Sequence, residues 1–408
     1  MNEPNASERL VASLCNRSFL SFWSYPMPQG KERGKELCDV LVVCDPDVVI
    51  FSIKDIGLKK TGDPAVGWER WRKRAIDDSC KQIYGAQRWI DSATNVITKD
   101  GEKGIAFPEP SHRRVHRVAV ALGSRGEVPL AFGDFGKGFV HVFDEWSLDV
   151  VMDELDTISD FVKYLADKEA LYTRGVLTMF ASGGEEDLLA FYLHQGRRFP
   201  EEPDFLVLDG DLWDTLTKKP EWRSRKDADK VSYAWDRLIE TLYEDFKSQR
   251  MLVSDHRFSA ASLMETERVL RVMAREDRFS RRVLSGAFLE FIESAQAQGI
   301  GARMVPSLSG VKYVFLARPF GEGRQQRMEE LFLRCFVARG LEPAVRTVIG
   351  IATERPEPGR GHSLDTLYLD KSEWAEEDQE NLELIQEELG YFAAPRQSRM
   401  RGSEYPGT

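Results

Sequence analysis

Gly34-Lys35-Glu36-Leu37-Cys38-Asp39, the β-branched runs Val40–Val43 and Val48–Ile53, and the ending Phe51-Ser52-Ile53-Lys54-Asp55 decide how this chain is read. Cys44-Asp45-Pro46-Asp47 separates the runs, and its Asp-Pro-Asp is turn chemistry, so the pattern predicts a hairpin. Asp39 opens one strand and Lys54 closes the next, which brings both to the same end of the sheet. Side chains alternate along a strand, so Ser52 and Lys54 share one face and Ile53 points to the other. Asp39 aligns with Leu41 and Val43. Whether that is also the face of Ser52 and Lys54 depends on register, which the sequence leaves open. An acid and a lysine at the end of a buried hairpin each require a partner.

Outward from the hairpin, Ser7 is a predicted N-cap with Glu8 in the first helical turn. Val11, Ala12 and Cys15 follow at helical spacing and set Glu8 beside the buried stripe. Phe19–Tyr25 reads as a strand and Pro28–Gly34 as a loop. After the hairpin, the loop Gly57–Gly67 leads to a helix over roughly Trp68–Ser92. Winding at about 100° per residue, Gln82 and Ser79 fall inside the apolar arc of Trp71, Ala75, Ile83 and Ala86. A glutamine placed inward must hydrogen-bond something. His116–Leu122 and Phe139–Phe143 are predicted to complete the sheet, with Gly133, Gly136 and Gly138 in a hairpin connection.

This ordered α-β-ββ-α pattern resembles the PD-(D/E)xK nuclease superfamily, the restriction-endonuclease-like fold, over roughly residues 5–145. The family places an acid on one strand, then a hairpin, then acid-x-Lys. Asp39 matches the first acid, Lys54 the lysine, Glu8 an acid on the leading helix, and Gln82 a helical glutamine that some members use beside the lysine. Ser52 stands where the second acid belongs. The resemblance implies an α/β fold with a mixed sheet flanked by helices, followed here by an appended, mostly helical and α/β carboxy-terminal region. It also implies metal-dependent hydrolysis of DNA phosphodiester bonds by an endonuclease or nickase of the kind that serves restriction or phage defence. Asp39 would bind Mg²⁺ (or Mn²⁺) with Glu8 and the Ile53 carbonyl as further ligands, and Lys54 would orient the attacking water or neutralise the oxyanion. Glu8 and Glu36 are the carboxylates able to compensate for Ser52. Glu36 lies three positions before Asp39, which on a regular strand gives opposite faces, so it reaches the site only through a bulge or an irregular strand start. The neutral Ser52 equally suits a catalytically inactive nuclease fold serving as a DNA-binding or assembly subunit.

Lys59, Lys60, Arg70, Arg74 and Lys81, with Lys73, Arg88, Trp68 and Trp71, form a basic-aromatic segment suited to phosphate contacts that carry no sequence information. The alternative is a solvated helix face diluted by Glu69 and Asp77. A second basic cluster, His112–Arg117, is placed to meet the other side of a duplex. The chain has 408 residues and a net charge of −11, yet residues 1–150 carry 21 basic and 21 acidic residues, so the whole surplus falls on the remainder. A polyanion would therefore meet the amino-terminal part and the acidic remainder would face away.

No apolar run is long enough to span a membrane, and MNEPNASERL lacks the basic start of a secretory signal. Five cysteines without CxxC suit reduced thiols in a cytoplasm. Cys15, Cys38, Cys44 and Cys80 match no cluster spacing, His112 and His116 fit no zinc motif, and GxxxxGK[ST] is absent.

Leu148, Val151, Leu155, Ile158, Val162 and Leu165 predict one amphipathic helix. Pro200–Pro203 reads as a linker, 229–249 and 264–296 as helical. Lys312–Ala317, Arg324–Arg339 and Thr347–Thr353 form a βαβ-like pattern, followed by a strand Leu364–Leu369 and a helix over 374–392. The expected organisation is a nuclease-like domain at 1–147, a helical region at 148–300, a small α/β domain at 301–394 and a disordered tail at 395–408. Gly350–Glu354 and His362–Asp365 could line a ligand site. The acidic last helix is a candidate face for a protein partner or a second copy.

Overall fold

The computed structural model describes residues 4–30, 34–59, 63–126, 130–175, 177–180, 183–201, 205–248, 253–254, 262–299, 301–355, 357, 359, 362–394 and 403–406. The first helix, α1 (Ala6–Phe19), is capped by Asn5 rather than Ser7. Asn5 Oδ1 accepts the Glu8 N–H at 2.9 Å and Glu8 accepts the Asn5 N–H at 2.9 Å, a reciprocal capping box. The strand expected at Phe19–Tyr25 shrinks to β1 (Ser24–Pro26), because α1 runs through Phe19 and Leu20 turns the chain with φ 68°. Phe19, Phe22 and Trp23 are buried anchors of that corner and imitate a strand by composition alone.

The hairpin forms as expected from β2 (Val40–Cys44) and β3 (Asp47–Asp55), antiparallel, with Val40 opposite Phe51. Next come α2 (Pro64–Arg72), a π-helical turn at Lys73–Asp77, and α3 (Asp78–Ile90), continuous where one helix was predicted. A separate antiparallel pair, β4 (Asn95–Ile97) and β5 (Lys103–Ala106), precedes β6 (Arg114–Leu122), β7 (Gly133–Asp134) and β8 (Phe139–Phe143). The main sheet has the order β1-β2-β3-β6-β8-β7, with β3, β6 and β8 mutually parallel and the other neighbours antiparallel. Asp134 Oδ1 accepts the N–H groups of Gly136 and Gly138 and shapes the β7–β8 connection.

The helix expected over Leu148–Leu165 is two, α4 (Glu145–Glu154) and α5 (Ile158–Thr173). Thr157 caps the second by accepting the Asp160 N–H at 3.1 Å. The alternation of β3 sorts the layers. Phe51 stacks on Phe161 of α5, which also meets Phe19 of α1, whereas Ser52 and Lys54 face α3. The result is an α/β fold, a mixed sheet with helices on both faces. A parallel pair not anticipated from the sequence, β9 (Leu177–Phe180) and β10 (Phe205–Leu208), flanks α6 (Glu185–His194); α7 (Leu212–Lys218) follows.

Internal contacts divide the chain into two units, Met1–Arg223 and Ser224–Thr408, with the break inside α8 (Pro220–Asp229). The boundaries expected at 147 and 300 fall within these units, since α4 and α5 cover the first sheet and later helices cover the second. In the second unit α9 (Tyr233–Lys247) and, after β11 (Val253–Ser254), α10 (Leu263–Ala274) and α11 (Arg278–Gln298) are separate helices; Asp277 caps the last of them. The sheet then adds β12 (Ala302–Pro306) and β13 (Lys312–Arg318). The expected βαβ unit follows as β13, α12 (Arg324–Gly340) and the parallel β14 (Thr347–Glu354), before β15 (Leu364–Asp370) and α13 (Glu376–Leu389). The order is β11-β15-β14-β13-β12.

Trp235, Phe288 and Phe291 pack on Phe315 on one face of that sheet, and Met328, Leu331 and Cys335 of α12 on the other. Gly350 permits that approach, since a Cβ there would lie 2.8 Å from Cys335 Sγ. Much of the expected tail and of the PEEP linker lies outside the described residues. Of the tail, Ser403 and Pro406 accept hydrogen bonds from Arg282 and Ser224.

Candidate active site

The antiparallel register answers the question left open by the sequence. Val40 faces Phe51, so Asp39 stands opposite Ser52, on the face that carries Ser52 and Lys54. Asp39 is buried, and its Oδ2 accepts the Ile53 N–H from the neighbouring strand. A backbone donor thereby fixes the carboxylate against the end of β3. Ser52 is fully buried, and Lys54 is half-buried two residues on.

Gln82 arrives from α3, inside the buried arc as predicted. Its Oε1 accepts the Ser52 hydroxyl at 3.0 Å and the Lys54 ammonium at 3.0 Å. Trp71 Nε1 donates to Ile56 O at 2.7 Å and ties the helix pair to the segment just past Lys54.

Glu36 also reaches the site. The chain is irregular before β2 begins at Val40, and Glu36 pairs only in an isolated bridge with Gln29. Desolvation by the surrounding protein, then the charge and hydrogen bond of Asp39 and the charge of Glu8, push the Glu36 carboxyl up to about 7, against the opposing pull of Lys54. Glu8 thus acts at the site through its charge, while its two oxygens accept from the Asn5 N–H and side-chain amide at 2.9 and 2.6 Å.

One further group was not anticipated. Asp78, one helical turn before Gln82, is held below the usual carboxylate range first by its hydrogen bond to Lys81, with Lys73 and Lys54 adding to it. Its i, i+4 spacing from Gln82 was the available signal. Among the described residues, no three His, Cys, Asp or Glu side chains are grouped to hold a metal ion.

The basic segment divides. Arg70, Lys73, Arg74 and Lys59 are exposed, and Arg70 and Arg74 have no side-chain ion pair among the described residues. Lys81 is paired with Asp78 at 2.7 Å, and Arg72 is neutralised by Glu69 and Asp77. Trp71 is buried, so its aromatic face is not offered to solvent. Lys60 lies outside the described residues.

The second cluster, His112–Arg117, is engaged by neighbouring groups at the far end of the sheet from Lys54. Arg114 and His116 bind Asp47, His112 binds Asp45, Arg113 donates to Pro108 O and Ile90 O, and Arg117 donates to Gln87. Arg114 pairs with Asp47 at the far end of β3 from Lys54, seven residues or about 23 Å away.

In the second unit, Glu354, Ser363 and Asp365, expected to line a ligand site, are consumed by Arg324 and Arg327. All five cysteines are buried free thiols. Among the described residues no helix is long and apolar enough to cross a membrane. Comparison of the chain with protein-family models, curated proteins and solved structures found no match.

Proposed function

We propose that this chain is a metal-dependent nuclease that hydrolyses phosphodiester bonds of DNA, built on a restriction-endonuclease-like fold and suited to restriction or phage defence. The observation that carries the reading is the convergence of Asp39, Lys54 and Gln82 on one face of the β2–β3 hairpin, with the Glu36 carboxyl close enough to feel the charge of Asp39. Two neighbouring carboxyls repel unless a proton or a cation lies between them. That donor set fits Mg²⁺, which takes one or two carboxylates and keeps several waters. Asp39 and Glu36 would hold the ion with the carbonyl of Ile53, and Glu8 would add negative charge from farther out.

When bound, the ion supplies charge stabilisation at the scissile phosphate and a more acidic water. Lys54, steadied by Gln82, orients the attacking water or neutralises the oxygens of the pentacovalent phosphorus. Arg70, Lys73 and Arg74, on the outer side of the helix pair that carries Gln82, contact backbone phosphates.

The test is nicking of supercoiled plasmid with Mg²⁺ or Mn²⁺ by the wild type, Asp39→Asn and Lys54→Ala. The expected result is a loss of at least about 100-fold in both variants, with the fold intact by circular dichroism. Cutting that survives both substitutions contradicts the assignment. A second reading, an inactive nuclease fold that binds DNA or assembles with other proteins, is favoured by the neutral Ser52 and by the lack of a three-ligand group among the described residues. Retardation of DNA by all three proteins with no nicking decides for it.

A further inference from the structure

We infer that Ser52 and Gln82 form a positioning pair for the Lys54 ammonium, and that Ser52 is a required hydroxyl rather than a metal-ligand position that has lost its acid. The catalytic part of this inference rests on the nuclease reading; the geometric part does not. An ammonium has only donors, so the end of the Gln82 amide that meets Lys54 at 3.0 Å is the oxygen. With that oxygen fixed, the Ser52 hydroxyl, 3.0 Å away, must donate to it as well. Two donors fill the lone pairs of one amide oxygen and select one of the two amide orientations.

Each member is seated by its own element. Ser52 is fully buried on β3, and Gln82 is half-buried on α3 next to the buried Ile83, so each is held by its own element rather than by the lysine. A free lysine stem is flexible, and this latch is what restricts it. A carboxylate at position 52 would set its lone pairs against Gln82 Oε1. The amide would have to turn, presenting its NH₂ group to an ammonium, donor against donor. The arrangement around Lys54 therefore calls for a neutral donor at 52, and writing an acid back into that position breaks the latch.

The test reads Lys54 directly. Acylation of Lys54 by an amine-reactive ester is followed by peptide mass spectrometry on the full-length wild type, Ser52→Ala, Ser52→Thr and Gln82→Leu, with the exposed Lys218 as internal standard. Gln82→Leu, which removes the charge-assisted bond to Lys54, is expected to raise the Lys54 rate about tenfold, Ser52→Ala, which removes only the neutral bond to Gln82, about threefold, and Ser52→Thr to return it toward wild type. In the nicking assay Ser52→Ala lowers the maximal rate at an unchanged Mg²⁺ requirement, and Ser52→Asp cuts more slowly than wild type. Unchanged Lys54 acylation in Ser52→Ala and Gln82→Leu overturns the latch, as does a Ser52→Asp protein that cuts faster than wild type at lower Mg²⁺. A wild type that fails to nick plasmid with either Mg²⁺ or Mn²⁺ overturns the nuclease reading instead, and the acylation series still decides the latch.

Discussion

Burial, and then the neighbouring Asp39 carboxyl, raise the Glu36 carboxyl, and the consequence for stability has a definite sign. The Glu36 carboxyl titrates near 4.5 in a free chain and at about 7 in the fold. Between those values the folded protein keeps a proton that the unfolded chain has released, so stability falls as pH rises through this window and stays lower above it. Glu36→Gln removes the repulsion. Its thermal midpoint should gain on wild type as pH rises from about 5 to about 8, and melts across that range check it. Parallel curves for the two proteins would show that neither burial nor Asp39 raises the Glu36 carboxyl in the fold. At this scale Lys54 and Gln82 were legible because strand alternation and helical phase are regular, whereas Asp39 was legible as to its end of the sheet and not its face, which the hairpin register fixes. Glu36 was legible only as a conditional candidate, since its approach depends on the irregular chain between Glu36 and Val40, which periodicity does not describe.

Elements were readable where the hydrophobic period was clean and misread where composition imitated it. The β2–β3 hairpin and the β13-α12-β14 unit follow their patterns. Phe19–Trp23 is aromatic without being a strand, and the helical period from Leu148 to Leu165 runs straight through the break before Thr157. The π-helical turn at Lys73–Asp77 has no sequence signature at all, although such turns recur near functional sites.

The segment just past Lys54 depends on one residue of a neighbouring element. Gly123, at the end of β6, has φ +92°, and a Cβ there would lie 2.5 Å from Ile56 O. Ile56 and Leu58 donate to the carbonyls of Leu122 and Gly123. Gly123→Ala should cost about 1–3 kcal/mol, read as a lower urea midpoint at unchanged slope. An unshifted midpoint would mean the loop relaxes freely.

Across the whole molecule, the α/β class and a mixed sheet with helices on both faces were foreseeable from the order of patterns in the first 150 residues. The two-unit division was not, because α4 and α5, which look like the start of a helical region, complete the first core. Every residue of the candidate site, from Glu8 to Gln82, lies in the first unit, and residues 1–150 carry no share of the net charge of −11.

The central claim is that Asp39 and Glu36 together hold a divalent ion beside Lys54. Mn²⁺ binding to the full-length protein near pH 8, followed by loss of the free-ion paramagnetic resonance signal, tests it most directly. The account predicts one site per chain in the wild type, abolished by Asp39→Asn and weakened by Glu36→Gln. Equal Mn²⁺ binding by all three proteins, or none by the wild type, would contradict it.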